Sequence, residues 1–208
     1  MSGLPATAIT GRPIVCCCSI AFRDEPITAI IPRLAALGYD GVEVWERHLA
    51  DLDEAALADL RRLAADHGLR IEVIAPYFWL TRDLPDLIRQ SHETAARCAR
   101  QARQLGAGRI RTFVDAGNDG IGSAEATPAH WHRAVDNLRR IVTAAPDLLF
   151  VVETHAHTLA DTPTSTKRLL DLVDQPNLVV NYQPGDGDPH VPAARGEPAA
   201  ASAPAGAQ

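Results

Sequence analysis

Five junctions in this chain read alike: "LAALGYDGVEVW", "LAADHGLRIEVIAPY", "ARQLGAGRIRTFV", "TAAPDLLFVVETH" and "LVDQPNLVVNY". Each closes a helical pattern, turns at Gly or Pro, and enters a short apolar strand. They recur at intervals of about 30 to 40 residues, the length of a βα unit, so the chain alternates strands and helices. Strands joined this way run parallel, because each helix supplies the crossover that parallel neighbours require. The sheet is therefore covered by helices on its outer side.

Helical spacing after Pro26 puts Ile27, Ile30, Ile31, Leu34 and Leu37 on one face, and after Asp53 it does the same for Leu57, Leu60, Leu63 and Ala64. Longer helices are predicted over 85–105 and 128–145 and a shorter one over 163–173, each with Pro suited to its first turn. Strands fall near 14–21, 41–46, 70–76, 109–114, 148–154 and 178–182. Six strands and five helices fit either an open doubly wound sheet or a β/α barrel without its last units. A full barrel has eight strands and about 250 residues, against 208 here. The domain is expected over 14–183, after a flexible stretch at 1–13. The composition then changes to "QPGDGDPHVPAARGEPAAASAPAGAQ", and over 184–208 the few large apolar residues cannot offset the entropy of ordering, so a disordered tail is expected.

Lys and Arg number 20 against 26 Asp and Glu, a net charge of -6. That balance offers no general attraction for phosphate backbones, so nucleic acid is not an expected partner. No run approaches the roughly 18 apolar residues of a membrane span. Three of the four cysteines are consecutive, Cys16 to Cys18. Neighbours in a strand face opposite ways, which rules out an ordinary disulfide framework among them. They read as small buried apolar residues in a reducing, cytoplasmic setting.

In parallel α/β architectures chemistry sits at the carboxyl ends of the strands. Here those ends are polar: "GVEVWERH", "RIRTFVDAG", "VVETHAH" and "VVNYQPGD". A period of two puts Glu153, His155 and His157 on one side if the strand continues that far. Such a set can hold a divalent metal or exchange protons with a carbon acid. The alternative is a Glu bound to an Arg, with both histidines in a solvated loop. Glu43 shares a face with Trp45 inside an apolar strand, so it implies either a polar cavity or an exposed edge. Arg111 could reach a substrate oxyanion, or pair internally with Asp115 or Glu153. Arg97, Arg100 and Arg103 suggest a solvated helix face, and Trp131 a core anchor. Phosphate-loop, dinucleotide, zincin and hydrolase motifs are absent.

"SIAFRDEPITAIIPRLAALGYDGVEVWERH", "GRIRTFVDAG", "FVVETHAH" and "NLVVNYQPGD", in that order, resemble the sugar phosphate isomerase/epimerase superfamily of xylose isomerase-like TIM barrels, over roughly 14–186. The resemblance implies an incomplete TIM barrel and a divalent metal (Mn, Mg, Co or Zn) that grips a small sugar or polyol, while a carboxylate moves a proton through an enediolate-type intermediate. By position Glu153 is the implied catalytic acid/base and metal ligand. His155, Glu43, Arg111 and Trp45 are the implied substrate-binding residues. Gln183 stands where the family commonly has a metal-binding Asp, and Asp186 where His is usual. The ligands of strands seven and eight have no counterpart in the sequence. The expected activity is that of a metal-dependent isomerase or epimerase, as a monomer or homo-oligomer. The alternative is a non-catalytic barrel fragment or binding module that associates with another chain.

Overall fold

A computed structural model describes residues 12–115 and 120–183. The expectations for 1–11, for 116–119 in the glycine-rich loop, and for the tail over 184–208 with Asp186 lie outside these residues. The elements alternate throughout: β1 (Cys16–Cys18), α1 (Ile27–Ala36), β2 (Gly41–Trp45), α2 (Glu54–Asp66), β3 (Arg70–Ala75), α3 (Pro85–Leu105), β4 (Arg109–Thr112), α4 (Pro128–Thr143), β5 (Leu149–Glu153), α5 (Pro163–Val173) and β6 (Leu178–Asn181). Short 3-10 turns, Ser19–Phe22 and Glu46–Leu49, come after β1 and β2. All six strands are parallel and lie in sequence order, β1 to β6. A consecutive parallel order with helices on one side is the barrel arrangement, so the doubly wound alternative falls away.

The repeated junctions have a common local cause. α1, α2 and α3 lead into Gly38, Gly68 and Gly106 at φ +82, +66 and +76, a left-handed conformation that costs other residues strain. Pro85, Pro128 and Pro163 occupy the first turns of α3, α4 and α5, where the missing N–H is no loss. Asp53, Thr127 and Thr162 accept hydrogen bonds from the main chain at the starts of α2, α4 and α5, satisfying donors that the helix leaves unpaired.

The core lies between the sheet and its helices. Val42, Val44, Ile74, Ile110, Phe150 and Val152 turn toward the helices and are buried, as are Ile27, Ile30, Ile31 and Leu34 of α1. Each such side chain contributes about 1.5–3 kcal/mol. Trp131 is buried as an anchor of α4, with the Arg168 guanidinium 4.2 Å from its ring centroid. On the alternate strand positions Glu43, Trp45, Val151 and Glu153 are less completely buried than the core side chains, while Arg111 is buried.

Several expectations need correction. The first strand is three residues long, because "SIAF" winds into a 3-10 turn rather than continuing extended. Leu37 is an exposed helix cap and not part of the apolar face of α1. Cys16 is exposed and Cys17 and Cys18 are half-buried; Cys98 in α3 is the buried one. Arg97 leaves the solvated face to donate to Glu46 at 2.7 Å. The apolar side chains that remain exposed gather partly at the two ends of the sheet: Ile14 and Val15 precede β1, and Val180 and Tyr182 lie at β6. Among the described residues β1 and β6 each pair on one side only. No helix of the described residues is long and apolar enough to cross a membrane.

Candidate active site

Strand register decides which polar residues meet. Arg111 of β4 pairs with Val151 of β5, and Glu153 stands two residues further along the same face. The two side chains therefore meet at the carboxyl end of the sheet, with Arg111 Nε 3.0 Å from Glu153 Oε2. The contact is ionic and not an aligned hydrogen bond, since Nε has no hydrogen-bond partner. On its other side Arg111 donates from Nη2 to Glu43 Oε1 of β2. One guanidinium thus bridges two carboxylates from strands that are not neighbours, and all three side chains are at least four-fifths out of solvent. Of the alternatives for Arg111, the structure gives the internal ion pair with Glu153, and Glu43 is paired to the same guanidinium.

Burial opposes the charge on Arg111, but the hydrogen bond and charge of Glu43, with the charge of Glu153, outweigh it and hold the guanidinium protonated. Burial raises the Glu153 pKa, and Arg111 opposes that rise without cancelling it. Burial also pushes the Cys18 thiol, 3.9 Å from Arg111 Nη2, up to about 12, so it stays protonated. Arg111 Nη1 is buried and has no hydrogen-bond partner. An unmet donor on a buried cation is costly unless something accepts from it.

An aromatic wall stands beside this triad. Tyr77, just past β3, stacks on Phe113, just past β4, with centroids 5.4 Å apart and planes 7° from parallel. His155, just past β5, meets the same Phe113 at 4.7 Å, and the Arg111 guanidinium lies 5.1 Å from its centroid. Asp115 braces the wall from behind: it is buried, and its Oδ1 accepts from the main chain of Leu80 at 2.9 Å and Thr81 at 3.1 Å. The loop after Tyr77 is thereby tied to the segment carrying Phe113.

The sequence-predicted residues divide into two groups. Glu43, Arg111 and Glu153 come together, and His155 joins them through Phe113. Its exposed ring makes a 2.8 Å Nδ1 contact with the Ala156 carbonyl. Trp45 packs edge-on against His48, whose Nδ1 is 2.9 Å from Ser19 Oγ. Gln183 is exposed; its main chain is hydrogen-bonded in both directions to the Thr154 hydroxyl. His157 lies in a turn at φ 60. Tyr77, Phe113 and Asn181 were not singled out by sequence, although the strand-end rule reaches the first two; Asp115, named there as a possible partner of Arg111, accepts instead from the main chain of Leu80 and Thr81.

A divalent cation of the hard type takes about six oxygen ligands. Beside Glu153 stand the Arg111 guanidinium and the Asn181 amide, whose nitrogen is 3.4 Å from Oε2, and no three His, Cys, Asp or Glu gather as a metal site among the described residues. This donor set does not by itself fit the metal that the resemblance implies.

Comparison with known proteins adds four findings. A family model described as xylose isomerase-like TIM barrel matches residues 31–187. A 3-dehydroshikimate dehydratase of Bacillus anthracis is 33% identical over 172 residues, 79% of this chain and 59% of that protein. Among solved structures, the probable 3-DHS dehydratase AsbF of Bacillus anthracis superposes with a TM-score of 0.71 at 28% identity, over 82% of this chain and 62% of that one. A D-psicose 3-epimerase of Clostridium cellulolyticum H10 shares the fold at a TM-score of 0.62 and 17% identity, over 74% of this chain and 57% of that one. The chain thus spans about three fifths of the length of the relatives it matches.

Proposed function

The chain belongs to the xylose isomerase-like TIM barrel family, and from that premise we propose that it removes a proton beside a carbonyl group of a small polyhydroxylated ring, in the dehydration of 3-dehydroshikimate. The observation that carries this reading is the buried Glu43–Arg111–Glu153 triad at the strand ends. It is supported by the higher identity to the probable 3-DHS dehydratase than to the epimerase in the same comparison of structures, 28% against 17%, and by 33% identity to the curated dehydratase. Isomerisation or epimerisation of a ketose or keto-polyol would share the proton-removal step and differ in the fate of the intermediate.

Glu153 is the base. Desolvation raises its pKa, which makes the ionised form a stronger proton acceptor than a carboxylate in water. As it takes the proton, the C–H electron pair moves toward the carbonyl carbon and leaves charge on oxygen. The unmet Nη1 of Arg111 is a donor for that oxygen. Departure of the β-hydroxyl requires a proton, which Glu153 now holds. His155, with Nδ1 turned to the Ala156 carbonyl, keeps Nε2 for a substrate hydroxyl. Water loss from the six-membered ring and then enolisation leave a dihydroxybenzoate.

No step here passes through a metal, since the described donor set does not fit one; Mn, Mg, Co or Zn would draw its carboxylate from Glu153, with Gln183 as the weaker donor. The test is incubation of the purified chain with 3-dehydroshikimate, with and without Mn²⁺, monitored by aromatic absorbance. Wild type should produce it and Glu153→Gln should not. Equal rates for the two, or no product under any metal, would remove the reading.

A further inference from the structure

We propose that Glu43 is a positioning residue: it draws Arg111 away from a two-bond grip on Glu153 and so leaves a Glu153 oxygen free for the substrate proton. This rests on the dehydration reading, in which Glu153 is the base, and adds the residue that keeps the base open. The Nε and Nη2 atoms of a guanidinium lie along one edge, the edge that can hold a single carboxylate by two parallel hydrogen bonds. Here that edge is divided. Nη2 donates to Glu43 Oε1 and makes a 3.9 Å contact with the Cys18 thiol, while Nε is left 3.0 Å from Glu153 Oε2 without an aligned hydrogen bond. Glu153 Oε2 is also 3.4 Å from the Asn181 amide nitrogen, and Oε1 has no hydrogen-bond partner among the described residues.

The sheet itself sets up the division. Arg111 and Glu153 belong to neighbouring strands, so without a competing acceptor the guanidinium can close on Glu153. Glu43 lies on β2, with β3 between it and β4. At the level of Arg111, one step past the Ile74–Ile110 pair, β3 carries Ala75. A methyl group there leaves room for the guanidinium to cross to Glu43. Both carboxylates are at least four-fifths out of solvent, where an ion pair is less screened by water and its orientation is held more firmly.

The experiment compares wild type with Glu43→Met and Glu43→Ala, which remove the acceptor, and with Glu43→Gln, whose amide oxygen still accepts from Nη2. Circular dichroism checks the fold of each, and either acceptor-free variant serves. Crystal structures should show Nε and Nη2 both within hydrogen-bond distance of Glu153 in the acceptor-free variants, and Nη2 still on the amide oxygen in Glu43→Gln. With 3-dehydroshikimate, kcat should fall roughly 100-fold in the acceptor-free variants with KM within about threefold, and Glu43→Gln should stay within about tenfold of wild type. An Arg111 that keeps its place without Glu43, a loss carried by KM alone, equal losses in Glu43→Gln and Glu43→Met, or full kcat with the edge closed on Glu153 would overturn the proposal. So would failure of both acceptor-free variants to fold, the mark of a purely structural role. Closure on Glu153 in the variants, with no dehydration by wild type, would leave Glu43's hold on Arg111 intact and remove the assigned reaction. Dehydration by wild type, with Arg111 unmoved in the variants, would do the reverse.

Discussion

Glu153 Oε2 lies 3.0 Å from Arg111 Nε, on adjacent strands, and neither side chain is more than 12% exposed. Despite that cation, the Glu153 pKa stays above its ordinary value because burial outweighs the attraction. A carboxylate in this condition is a base held in reserve by its surroundings. Replacing Glu153 with Gln should lower turnover of 3-dehydroshikimate by at least roughly 100-fold, measured by initial rates, while circular dichroism stays unchanged.

The same shift sets the sign of the pH effect on stability. A carboxyl whose folded pKa is raised favours the folded state while protonated. That contribution is complete below the ordinary value of 4.5 and is lost as pH rises through the folded value. Glu153→Gln, a mimic of the protonated group, should therefore gain stability relative to wild type at pH 7, and the two should converge near pH 4. Urea midpoints at both pH values check this. In activity, the acid limb of the wild-type profile should lie above 4.5.

Arg111 separates two carboxylates that would otherwise face each other. Arg111→Met should destabilise the fold by about 3–5 kcal/mol, because it leaves Glu43 and Glu153 buried without a counter-charge. Glu43→Gln should cost less, since Glu153 still balances the guanidinium. Urea unfolding of both variants decides the order.

Asp115→Ala should cost about 2–3 kcal/mol, as the main-chain donors of Leu80 and Thr81 lose their buried acceptor. Hydrogen exchange should rise first at those two amides. A variant that unfolds earlier with unchanged exchange there would contradict the bracing role.

Thiol reactivity should track exposure and pKa. Cys98 and Cys18 have thiols pushed up to about 12 by burial, and Cys16 is exposed. Iodoacetamide at pH 8 should label Cys16 well before Cys18 or Cys98, as read by peptide mass spectrometry.

The alternation of helix and strand was legible because each junction carries its own signal: glycines that tolerate positive φ, prolines at helix starts, and apolar runs of strand length. Helices over 85–105 and 163–173 match their structural bounds. "SIAF" reads as strand because apolar composition does not separate an extended segment from a 3-10 turn. Glu43, Arg111 and Glu153 were legible as candidates, since charges at apolar strand ends stand out. Their convergence was not, because it depends on the register of β4 against β5 and on curvature that brings β2 near β4. Tyr77 and Phe113 stayed hidden for a different reason: an aromatic ring at a strand end reads the same whether it faces a core or a cavity. Asp115's grip on a loop 34 and 35 residues earlier in the chain leaves no local trace.

Among the described residues, the one-sided pairing of β1 and β6 leaves a seam in the sheet. Exposed apolar side chains stand at its two borders, Val15 and Val180, and a sheet border with such neighbours can recruit a further strand. Whatever engages that seam, a neighbouring segment or a copy of the same molecule, will govern how concentrated the protein can become before it precipitates.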